Sequence, residues 1–75
     1  MKEYHDVELN ELISEGKEAT LKLSKMKFKK QTHEIKELLI LRRNRLSLIR
    51  QRAIQLNLTE IDLSNIWEYV QMKTL

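Results

Sequence analysis

The chain has 75 residues, and 14 lysines and arginines against 11 aspartates and glutamates give it a net charge of +3. This length suits one small domain, here residues 1–75, and excludes two packed domains. Cysteine is absent, which excludes disulfides, thiolate nucleophiles and cysteine zinc sites. Because there is no proline and only one glycine, a sheet protein with several tight turns is disfavoured, and we predict an all-α fold.

The charge is unevenly distributed along the chain. Residues 1–18 carry a net charge of −4, residues 19–52 carry +9, and residues 53–75 carry −2. Such a chain either offers its basic middle to an anionic partner or pairs its acidic and basic segments, within one chain or between copies. The sequence has no secretory signal pattern and no apolar run near about 18 residues, so we expect a cytoplasmic protein without membrane contact.

The first helical pattern places apolar and small residues on one stripe from Leu9 to Leu23, which predicts helix 1 over about 6–30. Gly16 lies within the stripe, where it either permits close approach of a second backbone or is a tolerated weak point. Three residues are alternative N-caps: Asp6, Asn10 and Ser14.

The second pattern predicts helix 2 over about 33–57, with an apolar arc wider than one neighbouring helix can cover. Helix 3 or another copy must cover the remainder. We expect the turn before it at residues 31–33. Since that turn has no glycine or proline, one continuous helix over 6–57 is the alternative.

The last pattern predicts helix 3 over about 60–73, capped by Thr59 or Ser64. Trp67 is expected to anchor it against the other helices. The predicted architecture is therefore a small helical bundle of two long antiparallel helices and a short C-terminal helix, which self-associates.

Five arginines occur within helix 2: Arg42, Arg43, Arg45, Arg50 and Arg52. Four of them flank the apolar stripe, where they either pair with glutamates of helix 1 or recognise a partner. Arg42 falls on the stripe itself, and a core-facing arginine needs a carboxylate or another acceptor in the fold, in a second copy or in a ligand.

Three short stretches resemble helical families. Residues 12–15 with Lys27 are similar to the all-helical chorismate mutases, although Gly16 stands where that pattern has an arginine. Residues 28–30 and 42–46 resemble the helical-hairpin protein near the exit of the large ribosomal subunit, and residues 66–71 resemble the end of the Hha family of nucleoid modulators. Each match involves few residues, and no site residue is carried over.

These patterns predict a non-catalytic interaction module without cofactor or metal, since the two histidines, His5 and His33, are far apart in the sequence. The expected partner is a protein with an acidic or apolar groove, or a second copy. The expected docking residues combine apolar area with charges that fix the register: Leu41, Arg42, Arg45, Leu48, Arg52 and Ile54.

Two other functions are alternatives. A nucleic-acid binder would contact phosphates through basic side chains, and because Phe28 is the one aromatic residue nearby, backbone contact is favoured over base stacking. A small enzyme would bring Lys27, Arg42 and Arg43 together on an anionic metabolite. The residues of the nucleic-acid alternative are Lys25, Lys29, Lys30, Arg43 and Arg50.

Overall fold

A computed structural model describes residues 4–26 and 32–71, and this part of the chain forms three α-helices without a strand. Helix α1 spans Val7–Lys25, α2 spans Thr32–Gln55 and α3 spans Glu60–Gln71. The prediction of an all-α bundle with two long helices and a short third one is confirmed.

Helices α1 and α2 form an antiparallel hairpin. The carboxylate of Asp6, at the start of α1, meets the guanidinium of Arg52, near the end of α2, and Glu15 meets Arg45 in the middle of both helices. Positions that rise along α1 therefore face positions that fall along α2. The hairpin is confirmed, and the alternative of one continuous helix over 6–57 is wrong.

Helix α3 runs parallel to α1 and packs on it. Near the start of α3, Asp62 accepts a hydrogen bond from the Tyr4 hydroxyl, and near its end Val70 lies against Gly16. Burial, followed by the charge and the hydrogen bond of Asp62, raises the pKa of Tyr4. These contacts place α3 over the first half of α1 and leave the second half uncovered by it.

The two helices of the hairpin differ from their predicted bounds at the connecting end. Helix α1 begins after Asp6, whose Oδ1 accepts a 2.8 Å hydrogen bond from the backbone N–H of Leu9, so Asp6 is the N-cap among the three alternatives. It ends at Lys25, earlier than predicted, and the N–H of Met26 donates to the carbonyls of Lys22 and Leu23. Helix α2 begins at Thr32, so the prediction of a turn is wrong for residues 32 and 33, which are helical. Residues 27–31 lie outside the described chain.

The connection between α2 and α3 depends on Asn57, which has a left-handed backbone with φ of 58°. The N–H of Leu58 bonds the carbonyl of Ala53 at 2.9 Å, and the N–H of Asn57 bonds the carbonyl of Ile54 at 3.1 Å. This is a Schellman motif, in which an asparagine or glycine closes the end of a helix. Helix α2 therefore ends at Gln55, two residues before its predicted end at 57.

Helix α3 is capped by Thr59 rather than Ser64. The Thr59 hydroxyl accepts the N–H of Asp62 at 3.1 Å, and the Asp62 carboxylate accepts the hydroxyl of Thr59 at 3.0 Å. The Asp62 carboxylate also accepts the Thr59 N–H at 3.4 Å, so the two side chains satisfy N–H groups that have no partner within the first turn. The helix ends at Gln71, and residues 72–75, which include the predicted end at 73, lie outside the described chain.

The core forms where the three helices meet. A Cβ on Gly16 would lie 2.9 Å from Cγ1 of Val70 and 3.6 Å from Cβ of Arg45, so the atoms nearest to this position belong to side chains and not to the predicted second backbone. Trp67 packs partly buried against this core, as expected of an anchor. The buried apolar residues are Leu9, Ile13, Ala19, Leu46, Ile49, Ala53, Ile66 and Val70.

Candidate docking surface

Arg52 is used within the fold. Its Nε donates to Oδ1 of Asp6 at 3.1 Å and its Nη2 donates to Oδ2 at 2.6 Å, a two-bond fork of the kind that arginine forms with carboxylates. Glu8 adds a contact at 3.5 Å. The hydrogen bond from Arg52, followed by that from the Leu9 N–H, lowers the pKa of Asp6. Arg52 therefore holds the start of α1 against the end of α2.

Arg45 is used within the fold as well. Its Nη2 lies 3.2 Å from the Glu15 carboxylate, and its Nη1 donates to the Asn44 side chain at 3.0 Å. Its Cβ also packs beside Gly16, so the methylene stem fills the junction of the helices. For Arg45 and Arg52, pairing with acidic residues of α1 and its N-cap is confirmed, and these two guanidiniums are committed to the intramolecular contact.

The other three arginines of α2 have no hydrogen bond or ion pair among the described residues. Arg43 and Arg50 are exposed. Arg42 is partly buried on the side that faces the core, and the carboxylate expected for it is not found in residues 4–26 or 32–71. Consecutive residues lie about 100° apart around a helix, so Arg42 and Arg43 occupy different sides of α2 and do not converge on one point.

Arg43 and Arg50 belong to a row of exposed residues along the side of α2 that faces away from α1. Neighbours in this row are alternately four and three positions apart, the spacing that keeps side chains on one stripe of a helix. Ile40 and Ile54 are 68% and 64% exposed. The six residues, termed the outer row of α2, are Lys36, Ile40, Arg43, Ser47, Arg50 and Ile54.

The outer row of α2 combines apolar area with positive charge that forms no ion pair among the described residues, and Arg50 also borders a groove lined by Glu60 and Glu68 of α3. Arg43 lies between Ile40 and Arg50 in the row, and the two arginines are about 10 Å apart along the helix axis, from a rise of 1.5 Å per residue. All three charged members of the row are cations.

The structure brings together residues from both predicted site sets. Ile54 comes from the protein-docking set, whereas Arg43 and Arg50 come from the nucleic-acid set. Leu41 and Leu48 lie on another side of α2, where Leu41 borders a groove against α1. Lys25 lies at the end of α1, and Lys27, Lys29 and Lys30 lie outside the described residues.

Sequence reasoning missed Lys36, Ile40 and Ser47 as members of a surface. The signal was present in the alternating four-and-three spacing, but it was obscured because α2 carries apolar residues on several sides. Only the positions of α1 and α3 show which of these sides is left exposed.

A groove at the connecting end of the hairpin is the other apolar surface of note. It has a volume of about 470 Å³ and an apolar floor formed by Met26, Leu38 and Leu41. Two lysines of α1 and two glutamates of α2 lie on its rim, so it does not favour either sign of charge. The rim residues are Lys22, Lys25, Glu34 and Glu37.

None of the protein families, curated proteins and solved structures compared with the chain matches it. Within the described ranges, no helix combines the length and apolar content needed to cross a membrane. The same residues contain no group of three or more histidine, aspartate or glutamate side chains placed to hold a metal ion.

Proposed function

We propose that the protein is a non-catalytic, cytoplasmic interaction module that binds an acidic, amphipathic helix of a protein partner along the outer row of α2. The observation that carries this proposal is the composition of the row. Ile40 and Ile54 supply exposed apolar area, and Arg43 and Arg50 lie between them without any carboxylate in the row. A helix with matching apolar residues and glutamates would cover the apolar area and pair the arginines.

The internal use of Arg45 and Arg52 supports the choice of this face. Both guanidiniums already bond carboxylates at the start or middle of α1, so a partner would have to compete with these bonds. Arg43 and Arg50 have no such bonds to give up. Arg45 and Arg52 therefore stabilise the fold, whereas Arg43 and Arg50 are the arginines that face a partner.

The same residues also appear in the nucleic-acid alternative, and the two functions differ in what the isoleucines do. Phosphates offer Ile40 and Ile54 no apolar contact, whereas a partner helix buries them. A protein partner therefore accounts for the whole row, and a nucleic acid accounts for its cations alone.

Binding of synthetic helical peptides tests this proposal. One peptide has leucines and glutamates at heptad core positions, a second has lysine in place of each glutamate, and a duplex DNA is the third probe. We expect the acidic peptide to bind in fluorescence anisotropy and the basic one not to bind. Arg43→Gln/Arg50→Gln should weaken acidic-peptide binding about tenfold or more.

Lys22→Gln is the control for the single variant Arg43→Gln, because it removes one positive charge from an exposed position of α1 outside the outer row of α2. It should keep the wild-type affinity for the acidic peptide. If duplex DNA binds more tightly than this peptide at physiological salt, and with a steep loss as salt rises, the nucleic-acid function is correct and the proposal is wrong.

A further inference from the structure

Helix α1 carries a second row with the same spacing as the outer row of α2. Its members are alternately four and three positions apart and lie on the exposed side of α1, where Glu18 and Lys25 also border grooves against α2. All six are exposed, with Val7 at 73% and Leu21 at 40%. They are termed the outer row of α1: Val7, Glu11, Ser14, Glu18, Leu21 and Lys25.

The two outer rows match in sequence when they are aligned antiparallel. Val7 then lies opposite Ile54, and Leu21 lies opposite Ile40, which gives two apolar layers. Between these layers the charges are opposite in sign, because Glu11 faces Arg50 and Glu18 faces Arg43. The small residues Ser14 and Ser47 form the middle layer, and Lys25 faces Lys36 in the last one.

The other alignments do not match. In a parallel arrangement of the two rows, Val7 faces Lys36 and Leu21 faces Arg50. If the outer row of α2 meets itself antiparallel, Arg50 faces Ile40, Lys36 faces Ile54 and Arg43 faces Ser47, so no cation is paired with a carboxylate and each isoleucine faces a charge. The composition of the rows therefore selects one pairing, which joins α1 to α2.

We infer that the outer row of α2 binds the outer row of α1 of a second copy of this chain, with the two helices antiparallel. This inference rests on the proposed function and names its partner. One chain cannot bring its own two rows together, because the buried faces of α1 and α2 form the contact within the hairpin and both rows are left exposed. The contact is therefore head-to-tail, and successive copies either close into a ring or continue to grow.

The contact needs little rearrangement of the free protein. Glu18 lies 3.4 Å from Lys22 in an exposed pair within α1. Exposed pairs of this kind contribute little to stability, so Glu18 is free to turn to Arg43. A seam of six layers with charged members is short, and its association should weaken as salt rises.

Charge reversal tests the pairing. Sedimentation equilibrium should show that the mass of the wild type rises with protein concentration. Arg43→Glu/Arg50→Glu and Glu11→Arg/Glu18→Arg each place like charges in the two layers that flank the serine layer. Each variant alone should therefore associate at least about tenfold more weakly. An equimolar mixture of the two variants should recover the wild-type mass, because each then offers the other an opposite charge.

The matched control for the α1 variant is Glu34→Arg/Glu68→Arg, which makes the same change of net charge at exposed positions outside both rows. It should associate as the wild type does. Circular dichroism of each variant shows that it is folded. A wild type that is monomeric at every concentration, or a mixture that fails to recover the mass, overturns the inference.

The lysine layer tests the register independently. Lys25→Glu or Lys36→Glu alone turns the repulsive layer into an attractive one, and each should strengthen association. The double variant restores a like-charged layer and should associate more weakly than either single variant. Net charge falls from the wild type to the single variants and again to the double variant. If net charge alone controlled association, the double variant would continue the trend of the single variants. A double variant that does not associate more weakly than the single variants therefore contradicts this register.

The acidic peptide separates this inference from the proposed function. A monomeric wild type that binds the acidic peptide through Arg43 and Arg50 overturns the second copy as partner and leaves the docking function in place. A monomer that also fails to bind the peptide overturns both.

Discussion

The two ends of the bundle are stabilised in different ways. At the core end, where α3 packs on the hairpin, lie the buried apolar side chains of the described chain except Ala19, which borders a groove beside Leu38 and Leu41. At the hairpin tip, defined here as residues 21–26 and 33–44, every described side chain is partly buried or exposed. The ion pairs that join α1 to α2, involving Arg45 and Arg52, also lie on the core side of the tip.

Apolar content therefore does not decide which half of this chain is stable. Residues 38–41 are the longest apolar run in the sequence, yet none of them is buried. The other half of α2 buries Leu46, Ile49 and Ala53, since α3 supplies a third side to the core there. The tip should therefore open locally at a lower free energy than the core end.

The largest effect should come from removing a core side chain. Ile49 is fully buried, and Ile49→Ala should lower the free energy of unfolding by about 2–5 kcal/mol through lost burial and a cavity. A domain of this length has a total of on the order of 4–11 kcal/mol, so the loss is a large fraction of the total. Urea denaturation followed by circular dichroism measures the loss.

Leu38→Ala is the matching change at the hairpin tip. Because Leu38 is only partly buried, the loss should be smaller, about 1 kcal/mol. Equal losses for Ile49→Ala and Leu38→Ala would break the distinction between the two ends.

Gly16→Ala should also destabilise the core end, although alanine favours helices. The new Cβ would lie 2.9 Å from Cγ1 of Val70, a buried and β-branched side chain that cannot easily move. Overpacking of this kind costs about 1–3 kcal/mol, against a gain of about 1 kcal/mol in helix propensity. The net loss should be visible as a lower midpoint in urea.

The Val70→Ala background is the control for this prediction. It removes the atom that the new Cβ meets, so Gly16→Ala should then raise stability relative to Val70→Ala alone. If Gly16→Ala stabilises the protein in both backgrounds, the helices can separate at this junction without loss, and the close approach is not a constraint.

Much of the fold was predictable because local patterns encode it. The period of the apolar residues placed three helices, and capping chemistry put Asp6 and Thr59 among the candidate N-caps. The end of α1 at Lys25 was not predictable from periodicity, because the helical pattern continues beyond it. The left-handed Asn57 was also missed, although an asparagine after a helix is a known closing residue.

The candidate site was harder to predict from the sequence. All five arginines of α2 carry the same charge, and only the neighbouring helices distinguish Arg45 and Arg52, which have carboxylates in reach, from Arg43 and Arg50, which do not. This difference depends on tertiary contacts, and the sequence shows only how far apart the residues are along the chain.

Thr59→Ala should have a moderate effect at the core end. The variant loses the hydroxyl that accepts the Asp62 N–H, and loss of such a cap costs about 1 kcal/mol. Ser64→Ala is the control, since Ser64 is exposed within α3 and caps nothing. Thermal unfolding should separate the two variants, and equal midpoints would show that the Thr59 cap adds nothing to the packing of α3.

The smallest effect should be the pH dependence of the Asp6–Arg52 contact, which joins α1 to α2 at the core end. Asparagine also caps helices, so Asp6→Asn keeps the N-cap and removes the charge that Arg52 binds. Because the folded state lowers the pKa of Asp6, the ionised carboxylate stabilises the folded protein above the ordinary aspartate pKa of about 4. That contribution is lost as the pH falls through the lowered pKa.

The wild type should therefore be more stable than Asp6→Asn at neutral pH, and the difference should shrink in acid. Glu68→Gln, which neutralises an exposed carboxylate without a partner among the described residues, should show no such convergence. A constant difference between wild type and Asp6→Asn from neutral pH into acid would mean that the contact with Arg52 stabilises the two helices through its geometry and not through the charge of Asp6.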